Sequence, residues 1–141
     1  MHWLDRTVKL IMRASQIILR YGGRMDALLL DRDTWDLCID ASNRIAVAKD
    51  PYAIIQNVAC AVRLFIGELW YGPASKGIPY RQEVFNKGYP TSYYKARVVA
   101  AAMVVPGVAS AKCVLTTLTD REIKGQVQIV TTDGQALVVG F

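Results

Sequence analysis

The chain has 141 residues, 52% of them hydrophobic and 21% charged, with a formal net charge of +5. That is about one domain's length, enough to bury a core without disulfides or metal and too apolar for a disordered chain. The longest unbroken apolar run, Val98 to Val105, is far too short to cross a bilayer, so a soluble protein is expected.

The charge is unevenly placed. Residues 1–24 hold Arg6, Lys9, Arg13, Arg20 and Arg24 against Asp5, a net +4, while the other 12 basic and 11 acidic residues almost cancel. Within this leader Leu4, Val8, Ile11 and Ile18 recur at helical spacing, and Gly22-Gly23 reads as a stop. It lacks the apolar core and small-residue cleavage site of a secretory signal. Three readings stay open: an amphipathic arm that docks on a partner, a membrane-surface helix, or an extension upstream of a true start at Met25. The abrupt change at "MDALLLDRDTW" favours the last. The expected organisation is therefore a leader over 1–24 and a single domain over 25–141 that folds without it.

From Trp35 the pattern has period two, with Trp35, Leu37 and Ile39 facing one way and Asp36, Cys38 and Asp40 the other. The polar Ala41-Ser42-Asn43 turn and "RIAVA" complete a β-hairpin. Asp50 before Pro51 predicts a capped helix start, and Ile54, Ile55, Val58, Val62, Phe65 and Ile66 carry the apolar stripe of a helix over 51–66 that stops at Gly67. "GELWYGPASKGIPY" cannot be one regular element. Its glycines permit sharp turns and its prolines limit disorder, so it reads as a rigid connector. Trp70 and Tyr71 within it are either core plugs or interface anchors.

Pro79 predicts a short helix, "YRQEVFN", closed by Gly88. Thr91 or Ser92 is placed to cap a third, "YYKARVVAAAMVV", whose alanines suit close packing and whose end is set by Pro106-Gly107. "SAKCVLTTLT", "GQVQIVT" and "QALVVGF" are strands, the first two joined by "DREIK" and the last two by the Asp-Gly turn of "TDGQ". The predicted class is α+β: an antiparallel or mixed sheet, made of an N-terminal hairpin and a C-terminal three-stranded meander, with about three helices on one face.

Catalytic signatures are scarce. His2 is the sole histidine and lies in the leader, which leaves the domain without the residues of a Ser-His-Asp, Cys-His or HExxH site. Cys38, Cys60 and Cys113 show no metal-ligand spacing and are expected as buried thiols. No cofactor or metal site is expected. One enzymatic option is a carboxylate pair of the glycosidase kind, Glu68 with Glu83 or an aspartate; a loop glutamate that caps backbone amides is commoner. Tyr93, Tyr94, Lys95 and Arg97 suggest a base-stacking patch, but the near-neutral domain makes nucleic acid an unfavoured partner.

Four stretches, "DASNRIAVAKDPYAIIQNVACAVRLFIGE", "GIPYRQEVF", "KARVVAAAMVVPGVASAKCVLTTL" and "GQVQIVTTDG", taken in that order, resemble the gene-twenty-five-like baseplate wedge family of contractile-tailed phages, especially its Mu-like and P2-like branch. The resemblance covers nearly all of 25–141. It implies a non-enzymatic virion protein of the tail baseplate, assembled in the host cytoplasm. Its implied partners are other wedge subunits, the first ring of tail sheath, and tube or hub proteins, with no small-molecule substrate and no membrane. The chain departs from the family where Leu69 replaces the arginine after Gly-Glu, and where Val105-Pro106-Gly107 stands in place of Glu-Pro-Arg, so a less charged wedge contact is expected. The candidate interface residues are Glu68, Trp70, Tyr71, Pro79, Pro106 and Val138. The alternatives are a peptidoglycan hydrolase using Glu68 and a basic-armed nucleic-acid binder.

Overall fold

A computed structural model describes residues 27–85, 88, 90–119 and 122–141; the leader, His2 and the candidate start at Met25 lie outside the described residues. Strand β1 (Ala27–Leu28) pairs antiparallel with β2 (Val47–Ala48), and helix α1 (Tyr52–Arg63) follows. A connector leads to one π-helical turn at Tyr80–Val84 and then to α2 (Thr91–Met103). The chain ends in an antiparallel meander of β3 (Val108–Leu118), β4 (Ile123–Thr131) and β5 (Ala136–Gly140), in that spatial order. This is the expected α+β class.

The core lies between the two helices and one face of the meander. Along β4, Val127, Ile129 and Thr131 are buried while Lys124, Gln128 and Val130 face outward, the period-two pattern of a sheet covered on one side. Val58 and Val62 of α1 and Val98 and Ala102 of α2 meet Val127, Ile129 and Val139, and each fully buried valine or isoleucine contributes about 1.5–3 kcal/mol. Of the four alanines of α2 only Ala102 packs as expected, Ala101 being half-buried and Ala96 and Ala100 exposed. Ala102 is wholly buried, and its small side chain lets the helix approach the sheet.

Several boundaries differ from expectation. Helix α1 ends at Arg63 rather than 66, because Leu64 turns extended and its carbonyl accepts the Ile78 amide at 2.8 Å. Asp50 makes no capping bond with its side chain, and neither Thr91 nor Ser92 caps α2, which starts behind Pro90. Strand β4 begins at Ile123, inside the stretch expected as a polar link. Of the cysteines, only Cys113 is buried; Cys38 is half-buried and Cys60 exposed.

The largest correction concerns the N-terminal hairpin. Trp35 is not in a strand: it sits in a turn at φ 61°, its amide donating to the Asp31 carbonyl, with the Arg63 guanidinium 4.5 Å above its ring. The hairpin continues as isolated bridges, Leu30 with Leu37 and Ile39 with Ile45. Its pleat turns the side of the half-buried Cys38 inward and leaves Leu37 and Ile39 exposed by 54% and 68%. Gln56 of α1 explains why. Its buried amide accepts from the Leu30 N–H at 2.9 Å and donates to the Leu28 carbonyl at 2.7 Å, so the helix serves as a strand neighbour to β1. Tyr52 adds a bond from its hydroxyl to the Leu30 carbonyl at 3.0 Å. With the segment so fixed, the small Ala48 rather than a large residue meets the body.

Tyr80 and Tyr94 join the layers. The Tyr80 hydroxyl donates to the Val62 carbonyl near the end of α1, and the Tyr94 hydroxyl lies 3.3 Å from that of Tyr80. Burial pushes both phenols above their ordinary pKa, with the hydrogen bond to Tyr80 adding to the rise at Tyr94. Because the folded values are raised, the neutral phenols contribute stability that is fully present below the unfolded value of about 10 and is lost as pH climbs above it. The thermal midpoint should therefore fall steeply between about pH 10 and pH 12. Tyr94→Phe should flatten that fall; an equally steep fall in the variant would assign the alkaline loss to other groups.

Candidate functional site

The connector is closed at its base by main-chain bonds. The Ile78 amide donates to the Leu64 carbonyl and the Ile66 amide to the Ile78 carbonyl at 3.0 Å, so residues 67–77 form a compact loop of the Ω kind. Two tight turns shape it, closed by the Gly72 amide on the Leu69 carbonyl and the Lys76 amide on the Pro73 carbonyl. Gly77 is required at the neck: at φ 114° an added Cβ would lie 2.6 Å from the Phe65 carbonyl carbon and oxygen. Gly67, at φ 78°, has no atom within 4 Å of its own Cβ position.

Glu68 sits in the turn just after α1, and it is exposed. Its carboxylate accepts the Phe65 amide at 3.0 Å, while its own amide donates to the Phe65 carbonyl at 3.1 Å. The glutamate is thus a local cap on the chain leaving the helix. Glu83, its suggested catalytic partner, is engaged elsewhere: it accepts the Tyr93 hydroxyl at 2.7 Å and pairs with Arg97 at 3.0 Å.

Trp70 and Tyr71 are not core plugs. They are 90% and 74% exposed at the outer end of the loop, edge to face with ring centroids 5.5 Å apart. Pro79 is buried, so it shapes the neck from within, whereas Pro106 is exposed beyond α2 beside Val104. Between α1, the loop and α2 lies an apolar groove of about 490 Å³, with Leu64, Leu69, Ile78, Val104 and Pro106 among its walls. Asn57 also reaches it, and its side-chain nitrogen is buried without a hydrogen-bond partner. Glu68, Trp70 and Tyr71 thus share one loop, Pro79 lies just past its neck and Pro106 stands across the groove from it; Val138 belongs to the separate edge of the meander.

Val138 has a geometry that can be worked out from the ladder. Gly125 and Phe141 exchange both their backbone hydrogen bonds at 3.0 Å, and the Thr131 amide donates to the Gln135 carbonyl at 2.9 Å. Antiparallel pairs alternate between bonded and non-bonded, so Val127–Val139 and Ile129–Leu137 are bonded pairs. The amides and carbonyls of Ala136, Val138 and Gly140 therefore point away from β4. Among the described residues β5 has no neighbour on that side.

The suggested base-stacking patch is broken up. Tyr94 is buried, while Arg97 lies 5.1 Å from the Tyr93 ring centroid and is tied to Glu83. Among the described residues no group of three His, Cys, Asp or Glu side chains is arranged to hold a metal ion, and no helix is long and apolar enough to cross a membrane. Sequence reasoning missed the groove and the Glu83–Tyr93–Arg97 cluster. Glu83 and Tyr93 lie on different elements, and only the i, i+4 spacing of Tyr93 and Arg97 was visible beforehand. No protein-family model and no curated protein matches the chain.

The neck of the loop gives a sharp test. Gly77→Ala should cost at least about 2 kcal/mol, since a left-handed backbone alone costs roughly 1–3 and the methyl also meets the Phe65 backbone. Gly67→Ala should show only the backbone part. Chemical denaturation of the two variants reads the difference, and equal losses would show that the neck relaxes freely.

Proposed function

We propose that the chain is a structural subunit of a contractile-tail baseplate, joining inner wedge subunits to the first sheath ring and nucleating sheath assembly. The observation that carries the reading is the β5 edge. Three successive outward residues, Ala136, Val138 and Gly140, offer unpaired backbone groups on a strand without a single charged side chain. Natural sheets usually guard such an edge with lysine, proline or a bulge. A strand from a sheath protein that adds here gains main-chain hydrogen bonds for affinity and alternating side chains for register. The wedge side is supplied by the apolar corner at Val104 and Pro106 together with Trp70 and Tyr71. This fits the less charged contact that Val105-Pro106-Gly107 leads one to expect. The virion location and the assembly in the host cytoplasm belong to the same proposal.

Proline at 138 removes an outward donor and leaves the bonded pairs with β4 in place, whereas proline at 139 breaks one of them. Val138→Pro subunits should fold and enter baseplates that carry bare tubes, while Val139→Pro should destabilise the subunit itself. Electron microscopy of assembled tails decides: normal sheaths on folded Val138→Pro baseplates would remove β5 as the docking edge.

A structural role also makes a statement about Glu68. Glu68→Gln keeps an oxygen that can accept the Phe65 amide, so the variant should be folded, slightly less stable, and no different from wild type in assays with purified peptidoglycan. Glycan cleavage by the wild type that disappears in Glu68→Gln would replace this reading with the hydrolase.

A further inference from the structure

The N-terminal sheet carries an apolar face directed away from the core. Leu28 pairs with Val47, Leu30 with Leu37, and Ile39 with Ile45, and the spacing of two along each segment puts all six on one side of the pleat. Five of them are at least half exposed: Leu28 50%, Leu37 54%, Ile39 68%, Ile45 53% and Val47 50%. The opposite side holds the buried Ala48 and the half-buried Leu29 and Cys38. An alternation that puts every large aliphatic of these segments except Leu29 on the outer side is the pattern of a face made to be covered, and contiguous apolar patches of this kind are rare on monomers.

We infer that this face is covered by the leader of the same chain, with Leu4, Val8, Ile11 and Ile18 packed across Leu28, Leu37, Ile39, Ile45 and Val47. Two observations select this occupant. The leader runs directly into β1, so its apolar stripe is tethered next to the face through Gly22-Gly23 and a few residues more. A tether that short places it at an effective concentration of about millimolar, ahead of any free partner of similar affinity. Charge is complementary as well: the leader is +4, whereas residues 27–50 carry Asp31, Asp33, Asp36, Asp40 and Asp50 against Arg32, Arg44 and Lys49. The inference departs from the expectation that residues 1–24 stand apart from the fold, and it does not depend on the baseplate reading.

The full-length chain provides the test. Hydrogen exchange should be measured on the Leu29, Asp40 and Ala46 amides, whose bonds hold the small sheet, at a concentration where sedimentation shows a monomer. Ile11→Asp should speed exchange at these amides at least tenfold and lower the thermal midpoint by several degrees. The Val127 and Ile129 amides should stay as protected as in wild type. Ile39→Asp should do the same from the other side of the contact, and the double variant should be no worse than the worse single one. Should Ile11→Asp loosen the meander too, Ile11→Ser is read by the same criteria. Unchanged exchange and midpoint in the Ile11 variants would overturn the inference, as would protection that appears only as the protein dimerises, which would make a second copy the cover.

Discussion

The hydroxyl of Tyr80 on the Val62 carbonyl is the constraint on which the arrangement of helices and loop depends. The last carbonyls of a helix have no partner within it, and a buried one costs free energy unless something donates to it. Here the donor comes from eighteen residues further along the chain. The ring that delivers it is packed against Phe65, Phe85 and Tyr94 at centroid distances of 4.8, 5.8 and 5.8 Å. One side chain therefore ends α1, fixes where the loop returns, and sets the position of α2 through Tyr94. The exposed placement of Trp70 and Tyr71 follows from this closure: with the neck held at Leu64 and Ile78, the residues between them project outward.

Gln56 plays the matching part at the other end of α1. A side-chain amide with one donor and one acceptor imitates the edge of a strand, and β1 is docked by it as by a ladder neighbour. Helix and sheet are usually joined through apolar faces. A polar joint made through the strand edge leaves the pleat free to present either side, and the alanine at position 48 decides in favour of the small side.

These two joints mark the limits of what could be read beforehand. Strands β3 to β5 and the helical stripes were legible, because period and turn chemistry are local signals and the Asp-Gly turn ends with Gly134 at φ 82°. The end of α1 was not legible, since Phe65 and Ile66 continue the helical spacing and only the distant Ile78 draws them into extended backbone. The orientation of the hairpin was not legible for a different reason. Alternation reveals which residues share a face, but which face turns inward depends on the element beneath, and Gln56 reads in sequence as an ordinary polar residue on an apolar helix. Trp70 and Tyr71 were open between core and surface for want of the same long-range information. Glu68 was legible as a cap because its acceptor and the free amides it serves lie within three residues.

Two uncovered features among the described residues, the β5 edge and the outer face of the N-terminal sheet, differ in kind, and the difference bears on what each can bind. The β5 edge is deficient in backbone partners: its amides and carbonyls are satisfied equally by water or by another strand, so it can stand open in an isolated subunit and close reversibly on assembly. The outer face of the N-terminal sheet is deficient in side-chain burial, and water does not substitute for that; leaving it bare carries a standing cost of apolar exposure. An edge suits a partner that arrives late and must find its register, whereas a bare aliphatic face favours an occupant that is present from synthesis onward. That ordering is why we propose an assembly partner for the strand edge and the chain's own first residues for the apolar face.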